Sequence, residues 1–364
     1  MSGSSLDGLD IAYVHLQERA ATSAQAVRQW EYEIVHTGCY PYDDVWKRRL
    51  AAAPGLSALE YQLLHVEYGH YLGAAVMRMV EEHGLHYRVQ LIASHGHTSF
   101  HDPARRMTAQ LGDGAALAAT TRINVVSDLR AMDVALGGQG APIVPIGEKL
   151  LLPGYDYFLN LGGIANISKK GIGFDVCPAN RVLNALAEQE GRPYDDGGAL
   201  AAGGRVDEGL LERLDALPYY GMGYPKSLAN EFGTETVLPL IRGVGLSTGD
   251  ALRTYVEHIA VQVGRAVERL GGGMLTTGED GGGKMLVTGG GAHNGFLVSR
   301  LSERLGARGV EVVVPEDRLI DYKEALVMAL IGVLRWREEN NVLGSVTGAS
   351  RDSIGGAVWI GQEV

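Results

Sequence analysis

The chain has 364 residues, 46% of them hydrophobic and 21% charged, and a net charge of −11. That length exceeds what most single cores support and points to two domains. The acidic balance argues against a nucleic-acid partner, which needs clustered Lys and Arg, but leaves room for ATP held by backbone N–H groups and a metal ion.

Glycine, at 51 residues, exceeds its usual share and falls in short runs, which suits tight loops at strand ends. Cys39 and Cys177 are too few for a disulfide framework or a zinc module, and a reducing compartment fits them. No basic-then-apolar leader and no bilayer-length apolar run is present, so a cytoplasmic protein is expected.

In chain order, "LDGLDIAYVHLQ" alternates as a strand. Residues 57–83 read as a helix with a Ser57/Glu60 capping box, with Leu59, Leu63 and Val66 on one face, and it ends at Gly84. "VQLIAS" reads as a buried strand entering the polar turn "SHGHTSFHD". Residues 107–121 read as a helix, and "INVVSD" as a strand ending at Asp128 and Arg130. "GGQGAP", residues 137–142, is a candidate hinge, and "GSVTGA", residues 344–349, a second. Beyond the first hinge, "YDYFLNLGGIANIS" and "GIGFDVCPAN" give strand, glycine turn and strand. Helices are expected over 181–189, over 250–270 and from Asp321 to about Glu339. "LGGGMLTTGEDGGG" reads as an exposed loop, "KMLVTGGGAHN" as a strand, turn and helix start, and "VEVVVPED" as a strand. "SIGGAVWIG" is expected to return as a strand to the first domain. Each half opens with strand, glycine turn and strand, so the architecture is α/β with two similar domains and a cleft between them.

Three glycine turns carry the functional signal. They offer Gly3, Ser4, Ser5, Asp7 and Gly8; then Gly162, Gly163 and Asn166; then Gly289, Gly290 and Gly291. Glycine lets the backbone approach a ligand and turn successive N–H groups toward phosphate oxygens, and the third turn sits at a helix start. A structural tight turn is the alternative reading of each. None is a G-x-x-x-x-G-K-[ST] loop. Together they match the nucleotide clasp of the actin/hexokinase superfamily.

"MSGSSLDGLD", "SHGHTSFHDP", "QLGDGAALA", "SDLRAMDVALGGQGAPIVP", "LNLGGIANIS", "GFDVCPAN", "PKS" and "TGGGAHN" resemble, in order, the motifs of the anhydro-N-acetylmuramic acid kinases. The resemblance implies two ribonuclease H-like domains with an interdomain cleft, residues 1–140 with 345–364 and residues 141–344. It implies an enzyme using ATP, Mg2+ and water to open a 1,6-anhydro sugar and phosphorylate its 6-oxygen in murein recycling, with a homodimer as its assembly. In the family a strand precedes the first loop. Here the chain begins inside that loop, so either the start is internal to the natural gene or the first hairpin is incomplete.

Asp175 is the candidate general base, with helix capping as its rival role. Arg130 suits a substrate carboxylate through a bidentate fork, or a salt bridge with Asp128 or Asp133. Ser94, His95, His97 and Thr98 are candidate contacts to sugar hydroxyls. Glu324 is another, although Asp321 and Glu324 also have the spacing of a capping box. His95, His97, His101 and Asp102 raise a metallohydrolase alternative. His97 stands where the family usually has glutamine, and Val176 and Cys177 depart from its usual GFDTGPGN. These departures are expected to lie near the sugar pocket, so another amino or anhydro sugar is an alternative substrate. A non-catalytic nucleotide-binding regulator is a further one, against which the intact Asp175 argues.

Overall fold

Twelve strands run through the described residues: β1 (Gly8–Glu18), β2 (Trp30–Pro41), β3 (Leu91–Ala93), β4 (His97–Asp102), β5 (Met107–Leu111), β6 (Asn124–Ser127), β7 (Tyr157–Leu161), β8 (Ile164–Lys169), β9 (Ile172–Pro178), β10 (Lys284–Thr288), β11 (Glu311–Val313) and β12 (Ala357–Trp359). The computed structural model describes residues 1–2, 6–19, 30–224, 226–229, 231–271 and 283–362. It divides into unit 1, Met1–Pro153 with Tyr322–Val364, and unit 2, Gly154–Asp321.

Unit 2 is built on one sheet of order β11-β10-β7-β8-β9. β7, β8 and β9 form an antiparallel meander, and β10 and β11 run parallel to β7. Three antiparallel strands followed by two parallel to the first make a ribonuclease H-like sheet. The β8–β9 turn places Lys170 and Gly171 at φ of 48° and 84°, the positive values that a tight two-residue hairpin requires. Parallel pairing of β10 needs a long crossover, which contains the helix Thr248–Arg269. That helix buries Leu252, Tyr255, Val256, Ile259 and Val263 in the core of the unit. Such burial contributes roughly 1.5–3 kcal/mol per large side chain.

Unit 1 holds the antiparallel pair β1–β2, the sheet β12-β6-β3 and the hairpin β4–β5. The helix Ala58–Glu82 opens with the expected capping box, Ser57 and Glu60 satisfying each other's backbone N–H. Its buried side carries Leu64, Tyr68, Leu72 and Met79, whereas Leu59, Leu63 and Val66 are exposed. The apolar triplet read from the sequence is the outer stripe. β12 pairs with β6, so the C-terminal segment does return as a strand.

Several boundaries differ from the sequence reading. Most of "SHGHTSFHD" forms β4 rather than a turn, and residues 107–111 are its partner β5. The helix is confined to Gly114–Thr121, capped by the Asp113 carboxylate on the Ala116 N–H at 2.6 Å. Both supposed hinges lie inside unit 1 and are tied together. Gln139 N–H donates to Thr347 O at 2.8 Å. The Asp133 carboxylate accepts from Gly140 N–H at 2.7 Å and from the Thr347 hydroxyl at 2.6 Å. Unit boundaries fall instead after Pro153 and before Tyr322, not at 140 and 345. The helix Pro145–Leu151 stays with unit 1 because Glu148 pairs with Lys323, both buried, and an added Cβ on Gly147 would collide with Val327. The last long helix begins at Asp317, so Asp321 does not open it, and Tyr322 at φ −118° interrupts it. The expected exposed loop falls largely in 272–282, outside the described residues.

An elongated cavity of about 300 Å³ separates β1 from β3. Residues 9–16 line one side, residues 88–94 the other, and Val76, Met79, Met328 and Val333 close it. Met1 already lies antiparallel to β1: its amino group donates to Asp10 O at 2.7 Å and its carbonyl accepts from Asp10 N–H at 2.9 Å. An extended apolar segment of about six residues joined ahead of Met1 is therefore expected to enter the cavity along β1. Hydrogen exchange at residues 11–16 and 91–93 should slow and the melting temperature rise. Unchanged exchange there would rule out a strand-accepting slot.

Candidate functional site

Backbone register assembles a row of candidate residues in unit 2. Thr288 lies opposite Asn160, Asn160 opposite Asn166, and Asn166 opposite Asp175, across β10, β7, β8 and β9. Opposed residues share a face, so four polar side chains form one row, while Leu159 and Leu161 point into the core. Val176 is an extra residue between the pairs Ala165–Cys177 and Asn166–Asp175, a bulge that re-aims β9 at Asp175.

The row ends among glycine turns. Ala179 and Asn180 N–H donate to Gly163 O at 2.8 Å and Gly162 O at 3.1 Å. The Asn180 amide donates to Leu161 O at 2.9 Å. Gly289, at φ 80°, has no space for a side chain because Asn160 Oδ1 and the Leu161 backbone occupy it. Gly291 presses on Leu161, where an added Cβ would come within 2.6 Å of the leucine Cβ. The Gly162–Gly163 and Gly289–Gly291 turns therefore meet around β7 and Asn180. Asn294, past the third turn, caps the helix Gly295–Gly306 through Leu297 N–H.

Asp175 is half-buried, and Leu228 N–H donates to its Oδ2 at 2.8 Å. Burial pushes its carboxyl above the ordinary value, and the Leu228 bond and the Lys226 charge oppose that rise. Tyr219 donates from its hydroxyl to Asp175 O at 2.6 Å. Lys226 lies 4.3 Å from the centroid of the Tyr219 ring and is brought down to about 8, first by burial and then by Arg269. Asp175 does not cap the helix Asn180–Ala187, which begins at Ala179 without a side-chain cap.

A separate group of candidate residues lies in unit 1. Arg130 donates from Nε to His95 Nε2 at 2.8 Å and from a terminal nitrogen to Gly140 O at 2.5 Å. Neither Asp128 nor Asp133 pairs with it: Asp133 is engaged by Gly140 and Thr347, and Asp128 accepts from the Ser127 hydroxyl. The exposed Glu324 is near enough for its charge to act on Arg130. His95 is buried and contacts Gly96 O through Nδ1 at 3.0 Å. With Nε2 accepting from Arg130, His95 must be neutral with its proton on Nδ1. Burial, then the Arg130 charge, bring it down to about 3.

The remaining candidates have separate settings. His97 is buried and its Nδ1 meets the Ser2 hydroxyl at 3.2 Å. Thr98 is exposed and accepts from Gln110 Nε2 at 3.4 Å, and Ser94 N–H continues the β3–β6 pairing to Val126 O. His101 meets the Thr108 hydroxyl, and the Asp102 carboxylate accepts from Arg105 N–H. The histidines do not gather as ligands. His95 Nε2, which a metal would need, faces a guanidinium, and no metal-binding cluster of His, Cys, Asp or Glu occurs among the described residues. Gly3, Ser4 and Ser5 lie outside the described residues; Asp7 accepts Gly8 N–H at 3.0 Å.

Asn160 was missed as a site residue. Strand alternation in "YFLNL" was the available signal, since it sets Asn160 opposite in facing to Leu159 and Leu161, next to a glycine turn. The mutual support of His95 and Arg130 had no signal, because 35 residues separate them.

A family model for anhydro-N-acetylmuramic acid kinase matches residues 1–361. The chain belongs to the anhydro-N-acetylmuramic acid kinase family. It is 33% identical to the enzyme of that name from Vibrio parahaemolyticus, over 96% of this chain and 94% of the relative. Against the Xanthomonas oryzae pv. oryzae relative, identity is 34% over 99% and 96%. Against that of Gloeobacter violaceus it is 35% over 96% and 95%. Within this kinase family the departures at Val176 and Cys177 are core residues, 3% and 0% exposed, rather than pocket residues. They alter the packing beneath Asp175.

The neutral His95 gives a stability signature. Its pKa is about 3 folded against 6.5 unfolded, so the unfolded chain binds the proton first. The contribution is complete above about pH 6.5 and is lost progressively as pH falls toward 3, with a slope of up to about 1.4 kcal/mol per pH unit. Calorimetry from pH 7 to 4 should show a shallower acid loss for His95→Gln than for the unsubstituted protein. Parallel slopes would place the protonation elsewhere.

Proposed function

We propose that the chain is an ATP-dependent kinase acting on 1,6-anhydro-N-acetylmuramic acid in murein recycling, with Asp175 as its general base. The observation that carries the reading is the row of Asn160, Asn166 and Asp175 ending at two glycine turns. Carboxamides and backbone N–H groups beside one desolvated carboxylate suit a phosphate tail next to a site of proton removal.

In this reading Asp175 takes a proton from water as the water oxygen bonds to the anomeric carbon. The bond from that carbon to the bridging oxygen breaks. The freed 6-oxygen bonds to the γ-phosphorus of ATP as the bond to the ADP oxygen breaks. Arg130, held by His95 and Gly140, takes the sugar carboxylate in a two-pronged hydrogen bond. Ser94, Thr98 and Glu324 contact sugar hydroxyls, and His95 orients Arg130. Gly3, Ser4, Ser5, Asp7 and Gly8, with Gly162, Gly163, Asn166 and Gly289–Gly291, take the phosphates. Mg2+ belongs to the reading, and the oxygens of Asn160 and Asn166 fit a hard cation that keeps most of its water. Bound Mg2+ would neutralise phosphoryl charge. A cytoplasmic homodimer with no nucleic-acid partner completes the proposal. No described helix is long and apolar enough to cross a membrane.

Coupled assays with ATP, Mg2+ and a panel of anhydro and amino sugars test it. Turnover of the 1,6-anhydro acid above the other sugars is expected, and a different preferred sugar would reassign the substrate. Asp175→Asn should lower kcat about 10²–10⁴-fold while leaving ATP affinity nearly unchanged. Equal loss of both would remove the base assignment. Since burial raises the Asp175 pKa and only the ionised form accepts the proton, kcat/KM should fall on acidification from above the ordinary carboxylate range.

A further inference from the structure

Arg181 stands beside the Gly162–Gly163 turn with its charge uncommitted. A Cβ placed on Gly163 would lie 3.8 Å from Arg181 Nε and 3.8 Å from a terminal nitrogen, so the guanidinium lies against the exposed face of that glycine. Arg181 Nε is buried and has no hydrogen-bond partner, and the guanidinium makes no ion pair with a described residue. Its stem runs over Gly233, where an added Cβ would come within 3.6 Å of Arg181 Cδ. Its own N–H is tied to Gly163 O at 3.3 Å. Backbone and stem are thus fixed while the charged end is not.

A buried guanidinium N–H without an acceptor carries a desolvation penalty that an anion at the turn would relieve. A second orphan lies at the other glycine turn. Thr288 Oγ1, at the head of the Gly289–Gly291 turn, is likewise buried without a partner. Several other partly buried arginines of unit 2 have anions: Arg253 and Arg300 pair with Glu257, Arg265 with Asp215 and Arg308 with Glu268. The turns offer neutral donors, and the chain has no P-loop lysine, so this position lacks any other cation supplied by a recognised motif.

We infer that Arg181 is the phosphate-binding cation of unit 2, its guanidinium closing on phosphoryl oxygens of the nucleotide held at the Gly162–Gly163 and Gly289–Gly291 turns. The inference rests on the nucleotide reading of those turns and adds the charge they lack. Arg181 is a binding residue for the polyphosphate tail and has no part in proton removal.

Titration calorimetry of the full chain with ATP, ADP and adenosine in the presence of Mg2+ tests this at two salt concentrations. Arg181→Met should weaken ATP about 10- to 100-fold, the range for one charge-assisted contact, and leave adenosine unchanged. Arg181→Lys should recover part of the loss, and the salt dependence of ATP binding should be shallower in Arg181→Met. A melting temperature for each variant, with Arg181→Gln as a second neutral replacement, separates lost binding from lost folding. Unchanged ATP affinity, a parallel loss of adenosine, or no ATP binding by the unsubstituted protein would each overturn the inference. Failure of the sugar assays with this binding pattern intact would overturn the kinase reading alone.

Discussion

The pairing of Asn166 with Asp175 across β8 and β9 is the constraint on which the chemistry of unit 2 depends. A strand alternates its faces with every residue, so a slip of one position would turn Asp175 into the core and bring Val176 out. The bulge at Val176 fixes the phase. It lets Val176 and Cys177 both reach apolar surroundings while Asp175 stays in line with Asn166 and Asn160. Lys226 and Leu228 complete the setting from the other side. Asp175 N–H donates to Lys226 O at 3.4 Å, and its carboxylate receives Leu228 N–H. The carboxyl is therefore desolvated and oriented together, the two properties that the proposed base role requires.

Unit 1 solves a different problem, that of holding a guanidinium open. A buried arginine normally acquires a carboxylate, and two carboxylates are close in sequence at 128 and 133. Both are engaged elsewhere, and a neutral imidazole and a backbone carbonyl take their place. Neutral acceptors orient the fork without forming an ion pair with it, while the charges of Glu324 and Asp133 act on it from nearby. The arrangement is self-consistent. Burial and then the Arg130 charge keep His95 unprotonated, and an unprotonated His95 is what accepts from Arg130.

Local signals made much of this legible. The strands on either side of Gly162, the capping box at Ser57 and the glycine turn after β10 all announce themselves within a few residues, and they stand where the residues put them. Pairing partners distant in sequence did not. Residues 107–111 carry apolar residues that suit a helix as well as a strand, and only the presence of β4 decides between them. Leu59, Leu63 and Val66 have helical spacing, yet the neighbouring stripe through Leu64, Tyr68 and Leu72 is the buried one. Glycine-rich composition near 140 and 347 suggests hinges, because composition alone carries no sign of the contacts that fix these segments. The buried Asp133 carboxylate that joins them lay beyond any local pattern.

The placement of the unusual residues bears on what could distinguish this chain within its family. Val176 and Cys177 lie under the polar row and are fully enclosed, so they change the support of Asp175 without adding or removing a group that a ligand can touch. His97 is different. It is buried, its proton affinity is lowered by that burial, and its Nδ1 meets the hydroxyl of Ser2, the residue just before the first glycine loop. A glutamine amide at that position would offer a donor and an acceptor on a longer, more flexible stem, whereas the imidazole presents one nitrogen at a fixed angle. The departure thus acts on how Ser2 is held against β4. Val176 and Cys177 thus act on the support of Asp175, and His97 on the hold over Ser2.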